Sequence, residues 1–209
     1  MTTTPETAAE VAVEQAEAAA SAATSRVVDG VTFPAPGTYV LDPTHTRIGF
    51  VARHLMVTKV RGSFGEFTGS ITVAEDPKDS TAEATLKTVT IETGTPDRDT
   101  HLRSGDFLEA EKYPEITFRN ARIQSQKGAQ FTVVGDLTVK DTTRPVTLDV
   151  EIDGVAKDPW GNEKLAITAS TEIDREEFGM TWNVALEAGG VLVSKKIKIE
   201  IEAQAARQA

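Results

Sequence analysis

From about Val31 onward, short runs rich in Val, Ile, Thr and Phe alternate apolar with polar residues at a period of two. That period puts successive side chains on opposite faces of an extended strand, so each run has one face to bury. Residues 46–54 place Ile48, Phe50, Ala52 and His54 on one side and Arg47, Gly49, Val51 and Arg53 on the other. Residues 130–140 likewise align Phe131, Val133, Gly135, Leu137 and Val139. The period recurs in Val146, Leu148, Val150 and Ile152, in Leu165, Ile167, Ala169 and Thr171, and in Ile197, Ile199 and Ile201. Further strands are predicted over 60–73, 82–92 and 115–124, the first broken by Gly62, Gly65 and Gly69, a sign of bulges or sharp coiling. Turn chemistry at 75–80, 140–145 and 157–162 separates the runs, and sequential antiparallel hairpins are the simplest topology.

Two stretches break the alternation. Residues 93–114 predict a short helix near 97–107, starting at Pro96 or Asp97, with Leu102 and Phe107 turned to the sheet. Residues 174–190 carry Phe178, Met180 and Trp182, and such large apolar residues indicate lids rather than slack loops. About eight one-faced antiparallel strands close as a barrel or stack as a sandwich. The glycine-broken strand favours the barrel, and eight strands either fill with side chains or enclose one small ligand. With only 6% aromatic residues, complete filling is the weaker expectation.

Composition narrows the function classes. Residues 1–30 form an Ala- and Glu-rich leader whose first cation is Arg26; Glu6, Glu10, Glu14 and Glu17 interrupt every stretch that an export signal would need. A disordered tail is expected there, with a partner-binding helix as the alternative, and residues 31–205 are read as the barrel domain. Without an export signal a cytoplasmic location is expected. The formal charge of -10 and the lack of a cationic patch argue against nucleic acid, and no apolar run reaches bilayer-spanning length. The absence of cysteine excludes thiolate metal sites and thiol nucleophiles.

Alternation turns His54 inward, either as a hydrogen-bonded core histidine or as a contact for a ligand's head group, with Asp99 and His101 as neighbours in a polar cluster. A metal would have to use His54, Asp99 and His101 with His45 or water, a set lacking any His-Glu-x-x-His spacing; no metal or other cofactor is expected. Nucleophile-elbow and phosphate-loop motifs are absent, so binding is favoured over catalysis. A barrel-based enzyme using those three residues is the alternative, and a filled barrel serving protein contacts is a third reading.

Several segments together resemble the YceI-like family of bacterial polyisoprenoid-binding proteins. They are Leu41-Asp42-Pro43-Thr44-His45-Thr46 leading to Phe50 and His54, then Gly62-Ser63-Phe64-Gly65-Glu66-Phe67-Thr68-Gly69. Asp99-Thr100-His101-Leu102-Arg103-Ser104 with Phe107 follows, then Lys112-Tyr113-Pro114-Glu115-Ile116-Thr117-Phe118. Later come Gly135-Asp136-Leu137-Thr138-Val139, Arg144-Pro145-Val146, and Asp174-Arg175 with Phe178-Gly179-Met180. The resemblance spans roughly residues 37–204. It implies an extended lipocalin-like antiparallel barrel of eight strands whose apolar bore holds a long isoprenoid chain, such as a prenyl quinone or prenyl phosphate, as carrier, store or sensor. It also implies a homodimer. The ligand-binding residues expected are Phe50, His54, Phe64, Phe67, His101, Leu102, Phe107, Phe118, Phe131, Leu137 and Trp182. Many family members are exported, whereas this sequence begins with the acidic leader. Asp141 and Asn120 depart from the common pattern, where glycine and serine are usual, and both are expected in or near turns.

Overall fold

Every alternating run becomes a strand, and each run broken by glycine or turn residues becomes two strands laid end to end. The computed structural model describes residues 25–28, 30–187 and 190–208. In chain order the strands are β1 (Ser25–Val28), β2 (Val31–Pro34), β3 (Gly37–Leu41), β4 (Arg47–His54), β5 (Thr58–Phe64), β6 (Phe67–Val73), β7 (Thr81–Lys87) and β8 (Ile91–Glu92). Helix α1 (Pro96–Arg103) follows, then β9 (Glu115–Lys127), β10 (Gln130–Val139), β11 (Thr142–Lys157), β12 (Glu163–Asp174) and β13 (Lys196–Arg207).

Register shows how these pieces make eight barrel strands. β3 and β4 run along the same edge of β13, pairing Tyr39 with Arg207, Leu41 with Ala205, Arg47 with Glu202 and Val51 with Lys198. β6 and β5 line up against β3 and β4 in the same way, and β7 and β8 against β6 and β5. Counting each end-to-end pair as one strand, the chain is an up-and-down antiparallel meander continued by β9 to β13 and closed by β13 on β3 and β4. Closure removes the free edges that an open sheet would present.

At one end of the barrel, here the upper end, lie the 55–57 turn, the 93–114 segment with α1, the β10–β11 turn and residues 175–187 and 190–195. At the lower end the β1–β2 hairpin forms its own two-stranded sheet. It is held by Arg26, whose guanidinium donates to the carbonyls of Ala74 and Glu75, and by Phe33, which meets Phe131 edge-on at 5.5 Å. Among the described residues strand structure thus begins at Ser25, inside the 1–30 span read from the sequence as leader. The leader reading for residues 1–24 lies outside the described residues.

α1 starts at Thr95 as N-cap with Pro96 in the first turn, and stops at Arg103, where the Ser104 N–H and hydroxyl both donate to the His101 carbonyl. It is shorter than the 97–107 span expected, leaving Phe107 in the loop that returns to β9. Asn120 lies inside β9 rather than in a turn. At φ 55° it forms a bulge opposite Gly135, where the β9–β10 register shifts, and its side-chain amide donates to Asp136. Asn is among the few residues that tolerate this left-handed conformation.

Candidate ligand-binding bore

The inward faces of the strands leave two apolar cavities, stacked along the barrel. The upper one, about 220 Å³, is lined by Phe50, Ala52, Phe64, Leu86, Ile91, Leu137, Val139, Ile173, Ile197 and Ile199 from the wall. Leu102, Phe107, Leu108, Met180 and Val193 close it from the two irregular segments, so both act as the lids that the sequence indicates. The lower one, about 180 Å³, is lined by Val133, Val150, Ile152, Leu165, Ile167 and Ala203, with Phe131 and the plug residues Phe33 and Pro34 at its floor. Ile48, Ala84, Phe118, Leu148 and Ile201 line both, so the cavities meet at a waist in mid-barrel.

Two glycines keep this bore from filling. Phe50 pairs across the strands with Gly62 and lies against it, so a Cβ at Gly62 would come within 2.6 Å of the ring's Cε1 and 2.7 Å of the Glu92 carbonyl. Phe118, whose register partner is Leu137, lies diagonally against Gly135, with its Cε2 at 2.7 Å from a hypothetical Cβ and the Arg119 carbonyl at 3.0 Å. Each ring is laid along the wall because the facing residue has no side chain, which leaves the axis open.

The sequence-predicted residues divide into four groups. Phe50, Phe64, Leu102, Phe107, Phe118, Phe131 and Leu137 line the cavities. Phe67 is buried in the apolar cluster with Leu86, Ile116 and Phe178 and faces neither cavity. His101 and Trp182 form a second layer: His101 packs edge-on to Phe107 at 5.0 Å and to Trp182 at 4.6 Å, and its Nε2 bonds Asp106 at 2.8 Å. His54 ends β4, where it bridges to Val193, half-buried and outside both linings. Asp99 is buried and accepts from the N–H and hydroxyl of Thr93, holding the start of α1. His54, Asp99 and His101 therefore do not converge, and among the described residues no group of three or more His, Asp or Glu is placed to hold a metal.

Arg175, which sequence reasoning passed over, packs against the upper cavity, whose surface is almost wholly apolar. It is 2% exposed; its Nε donates to the Ser194 carbonyl at 3.0 Å and its Nη1 to the Met180 carbonyl. Burial pushes the guanidinium below its ordinary pKa, opposed by the charges of Glu176 and Asp174. The signal for it was present in the alternation: Leu165, Ile167, Ala169, Thr171 and Ile173 point inward along β12, and one further step of two reaches Arg175.

A closed meander barrel with two apolar cavities stacked along its bore, plugged below and lidded above, defines a lipocalin-like barrel. More particularly, the chain belongs to the YceI-like family: its sequence matches the YceI-like domain over residues 39–205. A UPF0312 protein of Staphylococcus aureus is 39% identical over 170 residues, covering 79% of this chain and 95% of the relative. The crystal structure of a Campylobacter jejuni YceI protein superposes with a TM-score of 0.65 at 28% identity, covering 75% of this chain and 90% of that one. A polyisoprenoid-binding domain from Saccharophagus degradans shares the fold with a TM-score of 0.59 at 13% identity, covering 81% and 98%. Among the described residues no helix is long and apolar enough to cross a membrane.

Proposed function

We propose that this protein binds a long isoprenoid chain, or a comparable amphiphilic lipid, in its bore, as carrier, store or sensor rather than as catalyst. The observation that carries the reading is the pair of almost wholly apolar cavities stacked along the barrel and sharing the Phe118 waist, an arrangement suited to an apolar chain and unsuited to a compact polar molecule. The name of the Saccharophagus degradans domain, a structural neighbour, agrees with it. Assembly as a homodimer belongs to the same reading and is checked by sedimentation velocity.

Each buried methylene-sized unit contributes about 0.8 kcal/mol, so ten of them give roughly 8 kcal/mol before the cost of ordering a flexible chain. Affinity therefore rises with each added isoprene until the bore is full, then levels off. Native mass spectrometry of the purified protein should show a co-purifying lipid, and calorimetry across a prenyl series should show the rise and plateau. Equal affinity for a short and a long prenyl ligand with the same head group would refute the bore reading.

A further inference from the structure

We infer that the tip of the β4–β5 hairpin docks the protein on an anionic lipid bilayer: Leu55, Met56 and Val57 enter the interface, and Arg53, Lys59 and Arg61 behind them meet the headgroup phosphates.

The tip is apolar and uncovered. Leu55, Met56 and Val57 are 44%, 51% and 76% exposed, and none of them belongs to an apolar core cluster. Val184, 44% exposed, extends the patch, because Leu192 donates its N–H to the Val184 carbonyl and accepts the Leu55 N–H on its own carbonyl. The turn itself does not call for these side chains. Leu55 and Met56 stand at φ 52° and 59°, in the left-handed region whose ordinary occupants are Gly and Asn. Two bulky residues are thus held in a strained conformation without being buried, which points to a role outside the fold.

The charge around the tip selects the partner. Residues 43–65 contain four cations, Arg47, Arg53, Lys59 and Arg61, and no Asp or Glu, in a chain whose formal charge is -10. Apolar residues space these cations along the sequence, so they do not read there as a patch; strand pairing sets Arg53 directly opposite Lys59, with Arg61 next behind on the same exposed face. Like charges facing each other across a strand pair repel. Among the described residues Arg53, Lys59 and Arg61 form no ion pair; Glu200, the carboxylate that feels Arg61 and Lys59, is paired with Lys198 at 2.9 Å. At a strand rise of about 3.3 Å per residue, Arg53 and Lys59 lie roughly 7 Å behind Leu55 and Val57, within the depth over which Lys and Arg side chains reach from the acyl boundary to the phosphates. A nucleic acid or an acidic protein offers the anions alone. A bilayer offers anions with an apolar layer beneath them.

The tip also stands where a lipid would be exchanged. Beyond Val51 and Ser63 the hairpin pairs with no other strand of the barrel. It is tied to the lid instead, by the Leu55–Leu192 hydrogen bond and by the bridge from His54 to Val193, which lines the upper cavity. Docking through this tip sets the lidded end of the bore against the membrane.

The test is co-sedimentation of the full chain, without added ligand, with vesicles of phosphatidylcholine alone or mixed with an equal part of phosphatidylglycerol. Binding to the mixed vesicles should be roughly tenfold to hundredfold tighter, the scale for two or three cations near an anionic surface, and should weaken as salt is raised. The net negative charge of the chain opposes such binding, so it requires a local site. Leu55→Asn combined with Met56→Gly, which suits the backbone of the turn, should weaken it about tenfold or more, and so should Arg53→Gln combined with Lys59→Gln. Trp160→Ala, which removes an 84% exposed side chain from the β11–β12 turn at the opposite end, should leave it unchanged. Equal affinity for the two vesicles overturns the inference, as does binding that survives both hairpin variants or is lost with Trp160→Ala. A wild-type dimer that the Asn-Gly variant dissociates in sedimentation velocity also overturns it, because a second copy then covers the tip. No bore ligand takes part, so each of these outcomes leaves the bore reading standing.

Discussion

Gly135→Ala isolates the waist from the rest of the bore. Gly135 has ordinary strand φ, so alanine suits its backbone, but the added Cβ would stand 2.7 Å from Cε2 of Phe118, closer still to its Cζ, and 3.0 Å from the Arg119 carbonyl. The carbonyl belongs to the paired strand and has little room to move, so the ring must leave the wall. The free direction is inward, toward Ile48, Ala84, Leu148 and Ile201, which closes the passage between the two cavities. Overpacking of this kind costs about 1 to 3 kcal/mol of stability. The larger effect is on ligand length. One isoprene unit has five carbons, worth roughly 4 kcal/mol of gross burial and about half that once its rotors are fixed. A chain that loses one unit's burial below the waist binds about thirtyfold more weakly. Calorimetry across the prenyl series should therefore show an earlier plateau in Gly135→Ala than in wild type, with short chains unaffected. Adding Phe118→Leu should restore the longer plateau. An unchanged plateau in a folded Gly135→Ala protein would show that the ring does not control passage.

Three other outcomes follow from the geometry. Phe131→Glu places a carboxylate at the apolar floor beside Phe33, and either unfolds the protein or abolishes binding, as circular dichroism and calorimetry will show together. The Asp42 carboxyl is held at about 2 by the His45 side chain first, then by the Thr44 N–H and Lys164. Because this pKa is depressed on folding, the stabilisation is fully present above the ordinary carboxylate value near 4 and is lost as pH falls toward 2; Asp42→Asn should cost about 1 kcal/mol at neutral pH, given that His45 is largely exposed, and flatten chemical denaturation in that window. Leu55 and Met56 both sit at positive φ, 52° and 59°, in a turn that suits Asn-Gly, so replacing the pair by Asn-Gly should raise stability by about 1 kcal/mol or more; a lower melting temperature would show that their apolar side chains contribute to the fold.

Period-two patterning is a local property, and it was sufficient for most of the barrel. A side chain's face follows from its parity within a strand, so Phe50, Phe131, Leu137, Leu148 and Ile167 could be assigned to the interior before any partner strand was known. The two apolar-bearing irregular segments were legible as lids for the same reason, since such residues in a loop need cover. What parity cannot supply is depth along the barrel axis or the identity of the group across the bore. His54 has inward parity, yet it stands at the strand's end beside Val193, where the wall gives way to the lid. Phe67 was read as lining and is instead buried among Leu86, Ile116 and Phe178.

The polar chemistry depended most on tertiary structure. Asp99 and His101 are two residues apart, but a helix turns them by about 200°, so Asp99 reaches back to Thr93 while His101 reaches Asp106 and the Phe107–Trp182 pair. Arg175 had the parity of an inward residue and the appearance of a solvated turn cation. Only the packing of residues 175–187 and 190–195 at the upper end, with Ser194 and Met180 supplying carbonyls, buries it. The openness of the bore is likewise a cross-strand property: Gly62 reads in sequence as a break in a strand and Gly135 as one step of a regular alternation, and they become seats for Phe50 and Phe118 only once strand pairing sets ring against glycine. The alternation in the chain determined a barrel and most of its inner wall, because burial of one strand face needs no distant partner. Where the ring of each phenylalanine lies, and which charge is shut away from water, depend on contacts between residues far apart in sequence, which only the closed barrel brings together.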